Sequence, residues 1–333
     1  MGLAGWTADL NGVTRTGTYD HRSGGLAGST TAGDCQERRS ARCSGPFSPE
    51  VAMTIPMSDI FSDLPNVHVV DVGASPIDGA PIYEPLRERG GATVVGFEPA
   101  KDQYQRLLDM EISNATYLPD AIGDGTEGEL KICRGPGMTS MLEPHKEVLS
   151  HFHWFDTYAE VVAREPMGTR RLDDVPETEG MDLLKVDVQG GELGVFHGAE
   201  QRLSGALMVH TEVQFVPFYE EQPLFAELDQ LLRAAGFWFH RFTPIHSRVI
   251  KPLVVNNDIY AGMSQQLWSD AVYVRPFTDF HRLEPEQLMK IALLAHDLYQ
   301  SYDLALLALQ HLAAKEGSER HLRYLERLSS VLT

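Results

Sequence analysis

The spacing of apolar and polar positions changes character twice along the chain. Over residues 1–50 the large apolar residues (Leu3, Trp6, Leu10, Phe47) stand singly among Gly, Ser, Thr and Arg, with no helical or strand period. Such a segment cannot bury enough surface to offset its ordering entropy, which predicts a disordered leader over residues 1–52. From residue 67 a different pattern begins. VHVVDVGA (67–74) and ATVVGFEP (92–99) are β-branched runs with the look of strands buried on both faces. IYEPLRERG (82–90) and KDQYQRLLDM (101–110) read as the helices that follow them, the first closing on a double Gly. ATYLPDAIGD (115–124) reads as a third strand and a loop. MDLLKVDVQG (181–190), GALMVHTEVQF (205–215), GFWFHRF (236–242) and DAVYVRP (270–276) supply four more strands, with helices at 191–203 and 223–236. This alternation predicts an α/β chain with a Rossmann-like, doubly wound, mostly parallel seven-stranded sheet over residues 53–276. Two segments interrupt it, an added strand at 128–135 and a helical insertion at about 144–166 that contains HFHWFDTY. After Pro276, leucines and alanines recur at helical spacing with no strand between them, so residues 277–333 form a C-terminal helical extension.

Composition narrows the class. The 333 residues are 43% hydrophobic, and 28 Lys and Arg against 47 Asp and Glu leave a formal net charge of -19. The leader is balanced, Arg15, Arg22, Arg38, Arg39 and Arg42 facing Asp9, Asp20, Asp34, Glu37 and Glu50, so the excess belongs to residues 51–333. So acidic a surface repels phosphate backbones and argues against a nucleic-acid binder. Cys35, Cys43 and Cys133 show neither a disulfide framework nor a zinc spacing. No apolar run reaches the length of a membrane span, and a cytoplasmic enzyme is the expectation.

In an open parallel sheet, ligands bind at the carboxyl ends of the strands, so the residues ending each strand carry the chemistry. The first strand ends in Asp71-Val72-Gly73-Ala74-Ser75 and then Asp78-Gly79, small residues that let a ligand approach the backbone. The second ends in Glu98-Pro99, where a carboxylate can accept hydrogen bonds from both hydroxyls of a ribose. The third ends in Asp120-Ala121, where an acid can read an exocyclic amine. Together they describe an adenosine pocket. The glycine triplet of a dinucleotide fold is incomplete, with Ser75 in place of its second glycine, which disfavours a nicotinamide enzyme. An acid ahead of Gly73 suits a cationic sulfonium, the logic of S-adenosyl-L-methionine in a class I methyltransferase.

Taken in order, VDVGAS, VVGFEPAKDQYQRL, DAIGD, RRLDDV, DLLKVDVQGGELGVFHGAE and EVQFVPFY resemble the FkbM-type methyltransferases over about residues 67–243. The most telling block is Leu184-Lys185-Val186-Asp187-Val188-Gln189-Gly190-Gly191-Glu192 followed by Gly198-Ala199, close to the family's LKIDVEGxE and later GA. Gln189 departs from the usual Glu, and Gly191 stands where a bulkier residue is common. The resemblance implies O-methylation of a hydroxyl on a sugar, glycan or polyketide-like acceptor, with S-adenosyl-L-methionine as donor.

For that chemistry the fourth strand ends in Asp187, the first choice for base or hydroxyl acceptor. Glu192 opens the next helix and Glu212 lies near the end of the fifth strand, and both are further catalytic candidates, although a Glu at a helix start also has an ordinary electrostatic role. The same three residues could bind Mg²⁺, but no dedicated ligand spacing demands a metal, and none is assigned. His210 reads as satisfied beneath the site. Lys185, inside a strand, must reach a rim or meet a carboxylate. Asp173-Asp174 should shape the turn before the fourth strand. The rival reading is a noncatalytic adenosine-binding scaffold whose C-terminal helices recruit a protein, and the same helices are the candidate surface for a homodimer.

Overall fold

The computed structural model describes residues 7–8, 55–76 and 79–332. The expected leader therefore lies outside the described residues, apart from Thr7–Ala8, which pair with Val254–Val255, and so does Asp78.

The strands that organise the molecule are β1 (Val67–Val72), β2 (Ala92–Phe97), β3 (Ala115–Leu118), β4 (Glu127–Cys133), β5 (Val161–Arg170), β6 (Leu183–Val186), β7 (Met208–Gln214), β8 (Trp238–Arg248) and β9 (Gln265–Val274). Seven of them form the main sheet in the order β8-β9-β7-β6-β1-β2-β3. The five from β7 to β3 are parallel, and β9 runs antiparallel between β7 and β8. The chain therefore winds outward from β1 in one direction, then returns to the middle at β6 and winds the other way. The reversal at β1 and β6 opens a crevice at their carboxyl ends, where such sheets take their ligands. This is the doubly wound, mostly parallel seven-stranded sheet that the alternating pattern predicts, with one antiparallel strand inserted near its edge.

The helices are α1 (Glu84–Glu88), α2 (Lys101–Asp109), α3 (Glu192–His197), α4 (Glu200–Gly205), α5 (Phe225–Ala234), α6 (Pro285–Asp297), α7 (Tyr302–Glu316) and α8 (Arg320–Leu332). Strands buried on both faces send alternate side chains into two cores. Val70, Val72, Leu184, Val186 and Val209 join Val195 and Phe196 of α3, Leu203 of α4, and Leu228 and Leu232 of α5. Val67, Val69, Val94, Leu183, Met208 and Val272 join Leu288, Ile291, Ala292 and Leu294 of α6, Leu304, Ala305 and Leu309 of α7 and Tyr324 of α8. The C-terminal extension is thus the roof of one sheet face. Met57, Ile60 and Phe61 complete that core. Their segment is tied to the end of α6, where the Met57 N–H donates to Asp297 at 2.8 Å and His296 Nε2 lies 2.7 Å from the Ile55 carbonyl.

Two segments differ from the pattern reading. The third strand stops at Leu118, and Ala121–Ile122 join a separate small sheet with β5 and β4. The segment expected to be helical at 144–166 forms only two single turns, Lys146–Leu149 and Phe155–Tyr158, before β5 begins at Val161. Pro166 would break a helix there. As a strand, β5 gains the partner β4 and a cross-strand ion pair, Arg164 to Glu129 at 2.9 Å. The turns of the insertion pack through Leu149 and Phe152 on Phe218 and Tyr219, in the loop after β7.

Candidate active site

The crevice is built on one close contact. Gly73, at φ +86°, leaves β1 with its Cα against the end of β6, where a Cβ would stand 1.8 Å from the Asp187 carbonyl oxygen. Asp187 answers with its own N–H, which donates to the Val72 carbonyl at 2.9 Å. Only glycine permits both the backbone angle and the approach. Gly198 plays the same part behind the site, since a Cβ there would stand 2.0 Å from the Gly123 carbonyl. The Asp173 carboxylate caps α4, accepting from the N–H groups of Gln201 and Arg202 at 3.0 Å each. The role is structural, but it caps a helix that follows β6, where the sequence reading assigns the block to the turn before that strand.

On the β1–β2 side lie the residues read as the cofactor pocket. Glu98 is buried, with one oxygen accepting from the Ala100 N–H at 2.8 Å. Burial outweighs that bond and pushes its pKa up to about 7. The Ser75 hydroxyl oxygen is buried beside the Glu98 carboxyl and works to lower that pKa. Ala74 is buried against the β2 edge, its N–H donating to the Phe97 carbonyl at 2.9 Å, and Pro99 follows half-buried. Asp120 is half-exposed at the rim and faces Arg170 of β5 at 3.7 Å, while Ala121 is buried.

Asp71 departs from its expected place. Its carboxylate accepts from Lys185 Nζ at 2.9 Å on one oxygen and from the Tyr83 hydroxyl at 2.5 Å on the other, and the residue is 2% exposed. Both oxygens are taken within the protein, so Asp71 holds the floor of the pocket instead of lining it. This also answers the question of Lys185. Burial is the largest single influence and works against its ammonium, but Asp71, with the charges of Asp187 and Asp270, outweighs it and lifts the pKa above the ordinary value.

On the β6–β7 side, Asp187, Glu192 and Glu212 each place a carboxylate oxygen within 4.8 Å of the other two. Glu192 is fully buried. One of its oxygens accepts from the N–H groups of Val188 and Gly190, both at 3.1 Å, so the side chain folds back onto the loop it follows. Burial, aided by the charge of Asp187, pushes its pKa up to about 7 against those bonds. The Gln189 amide spans the group, donating to Asp187 at 2.8 Å and Glu212 at 3.4 Å. Gln214 donates to Glu212 at 2.6 Å.

Sequence reading places all three acids here but misses what positions them. Gln189 sits at φ +57°. Its backbone carbonyl accepts from the Ser140 hydroxyl at 2.7 Å, and its side-chain oxygen from the Tyr219 hydroxyl at 3.3 Å. Ser140 and Tyr219 carry no local signal for this role, since they come from distant loops. His210 lies away from the group, between Asp270 at 3.5 Å and the Tyr299 hydroxyl at 3.3 Å beneath the C-terminal roof. His153 faces the Leu253 carbonyl at 3.0 Å. Among the described residues no helix is long and apolar enough to cross a membrane.

The family model of the Methyltransferase FkbM domain matches residues 71–239. The 2-O-methyltransferase NoeI of Sinorhizobium fredii (strain NBRC 101917 / NGR234) is 30% identical over 185 residues, covering 50% of this chain and 72% of that protein. The crystal structure of Methyltransferase FkbM from Methylobacillus flagellatus KT is 15% identical with a TM-score of 0.37, the match covering 66% of this chain and 48% of that one. Magnesium protoporphyrin IX methyltransferase (ChlM) from Synechocystis PCC 6803, solved with bound SAM, is 13% identical with a TM-score of 0.32, covering 66% and 74% of the two chains.

Proposed function

The chain belongs to the FkbM methyltransferase family, and from that membership we propose that it is an O-methyltransferase acting on a hydroxyl of a sugar, glycan or polyketide-like acceptor. The observation that carries this reading is the Gly73–Asp187 contact, which brings the end of β1, where the residues read as an adenosine pocket begin, against the end of β6, where the group of carboxylates begins. The name of the Sinorhizobium relative, a 2-O-methyltransferase, supports oxygen as the atom that receives the methyl group.

The residues present fit S-adenosyl-L-methionine. Glu98 offers its second oxygen to ribose hydroxyls, and the Ser75 hydroxyl beside it is a further donor or acceptor at the same place. Gly73 and Ala74 keep the wall at backbone width. When bound, the cofactor supplies an electrophilic methyl group on a sulfonium. The acidic crevice favours that positive charge.

The chain's own part is to hold the acceptor and move one proton. Asp187, fixed through its backbone to β1, accepts the proton of the attacking hydroxyl. Glu212, held by Gln214 and Gln189, accepts a hydrogen bond from the acceptor and orients it. Glu192 shapes the loop that carries Asp187. The insertion around Leu149 and Phe152, packed on Phe218 and Tyr219, walls the acceptor side.

The test is transfer of labelled methyl from S-adenosyl-L-methionine to a panel of glycan and macrolide hydroxyls, with calorimetry of S-adenosylhomocysteine on the same protein. Oxygen-linked label on an acceptor is the expected result. Label on nitrogen or carbon would overturn the acceptor class, and homocysteine-product binding without any transfer would favour the scaffold reading.

A further inference from the structure

We propose that Asp187, Glu192 and Glu212 hold a divalent cation of the Mg²⁺ or Mn²⁺ type, on which the acceptor hydroxyl is seated. Carboxylate oxygens from the residue just after β6, from α3 and from β7 converge within 4.8 Å. Convergence alone is common among surface acids, but two features set this group apart.

The first is Glu192. The residue is 0% exposed, and its second oxygen has no hydrogen-bond partner among the described residues. A buried carboxylate oxygen with nothing to bind is costly, and it belongs to a side chain of the three-acid group. The other oxygen is pinned by two backbone amides, so the orphaned one is held in place, as the outer hydrogen bonds of a metal ligand hold it.

The second is the Gln189 amide. It now places its NH₂ between Asp187 and Glu212, where positive charge is called for. Turning the amide over brings Gln189 Oε1 into that space as a fourth oxygen ligand. Tyr219 permits the turn, because its hydroxyl donates to the oxygen in one state and can accept from the nitrogen in the other. Oxygen ligands of this kind suit hard cations, and Mg²⁺ commonly keeps open positions for substrate. An acceptor hydroxyl in such a position is acidified, and its proton passes to the Asp187 oxygen that does not face the ion. The cation remains bound and no electron changes hands.

This inference rests on the methyltransferase reading, and the experiment separates the two. Mn²⁺ is titrated into the full chain and its free signal followed by electron paramagnetic resonance, with S-adenosylhomocysteine affinity measured in parallel. One tight site is expected, weakened at least about tenfold in both Asp187→Asn and Glu212→Gln. Exposed Glu326→Gln controls for bulk charge and should leave it unchanged. If Asp187→Asn does not fold, Glu212→Gln alone decides. Mn²⁺ binding that is absent at millimolar concentration, or equal in native and variant proteins, would overturn the ion site. The methyltransferase reading survives that result if S-adenosylhomocysteine still binds. A site for Mn²⁺ without affinity for S-adenosylhomocysteine would keep the ion and remove the methyltransferase reading.

Discussion

Glu98 sits at a carboxyl pKa of about 7, so its charge is decided within the ordinary working range. Ribose hydroxyls donate to the ionised form, and S-adenosylhomocysteine should therefore bind more tightly as pH rises from 6 to 8, by up to about tenfold per unit below the pKa. In Glu98→Gln that slope should disappear, as calorimetry at several pH values would show. Without ligand the sign reverses. The folded state holds the Glu98 proton more strongly than the unfolded chain does, so this residue's contribution to stability is full below pH 4.5 and is lost as pH rises through about 7. Asp187→Asn keeps the shape and removes the basicity, and turnover should fall by roughly 10²–10⁴ with S-adenosylhomocysteine affinity little changed. Near-normal turnover would remove Asp187 from the chemistry. Lys185→Met leaves Asp71 buried with only the Tyr83 hydroxyl, and should cost about 3–5 kcal/mol in denaturant melts. Asp71, Glu98 and Asp187 are legible in the sequence because each ends a recognisable strand. What each of them touches is not, because Lys185, Tyr83 and Gln189 owe their roles to neighbours across the sheet.

At the scale of elements, legibility follows burial. Strands β1, β2, β6 and β7 are buried on both faces, so their apolar runs are long enough to read directly. β5 is largely exposed and carries polar residues on both sides, and its strand character comes from β4, which no local window contains. The C-terminal helices read clearly as helices, but their partner could not be read, since an apolar stripe names no surface. The structure shows that they roof the sheet. A chain ending at Pro276 should consequently expose Val67, Val69, Leu183, Met208 and Val272, each about 1.5–3 kcal/mol of lost burial. Such a chain should aggregate or lack a cooperative melt in circular dichroism. A cooperative transition near that of the full protein would show that the roof is dispensable.

The whole molecule carries its -19 charge over a sheet domain with two cores and an acidic mouth. It should therefore show no affinity for RNA or DNA at low salt, measurable by filter binding, and any retention that falls with salt would contradict that expectation. The ends of the described fold also meet: Met57 and Phe61 share a core with Tyr324, and Arg320 forms an ion pair with Asp63. That meeting has a consequence in time. β1, the central strand, leaves the ribosome first, while the helices that cover one of its faces begin 218 residues after it at Pro285. At roughly 5–20 residues per second, one face of the nascent sheet waits on the order of 10–40 seconds for its cover. During synthesis the molecule is thus a half-wrapped sheet, open to whatever binds apolar strands, and it closes only when the helices from Pro285 onward have been made.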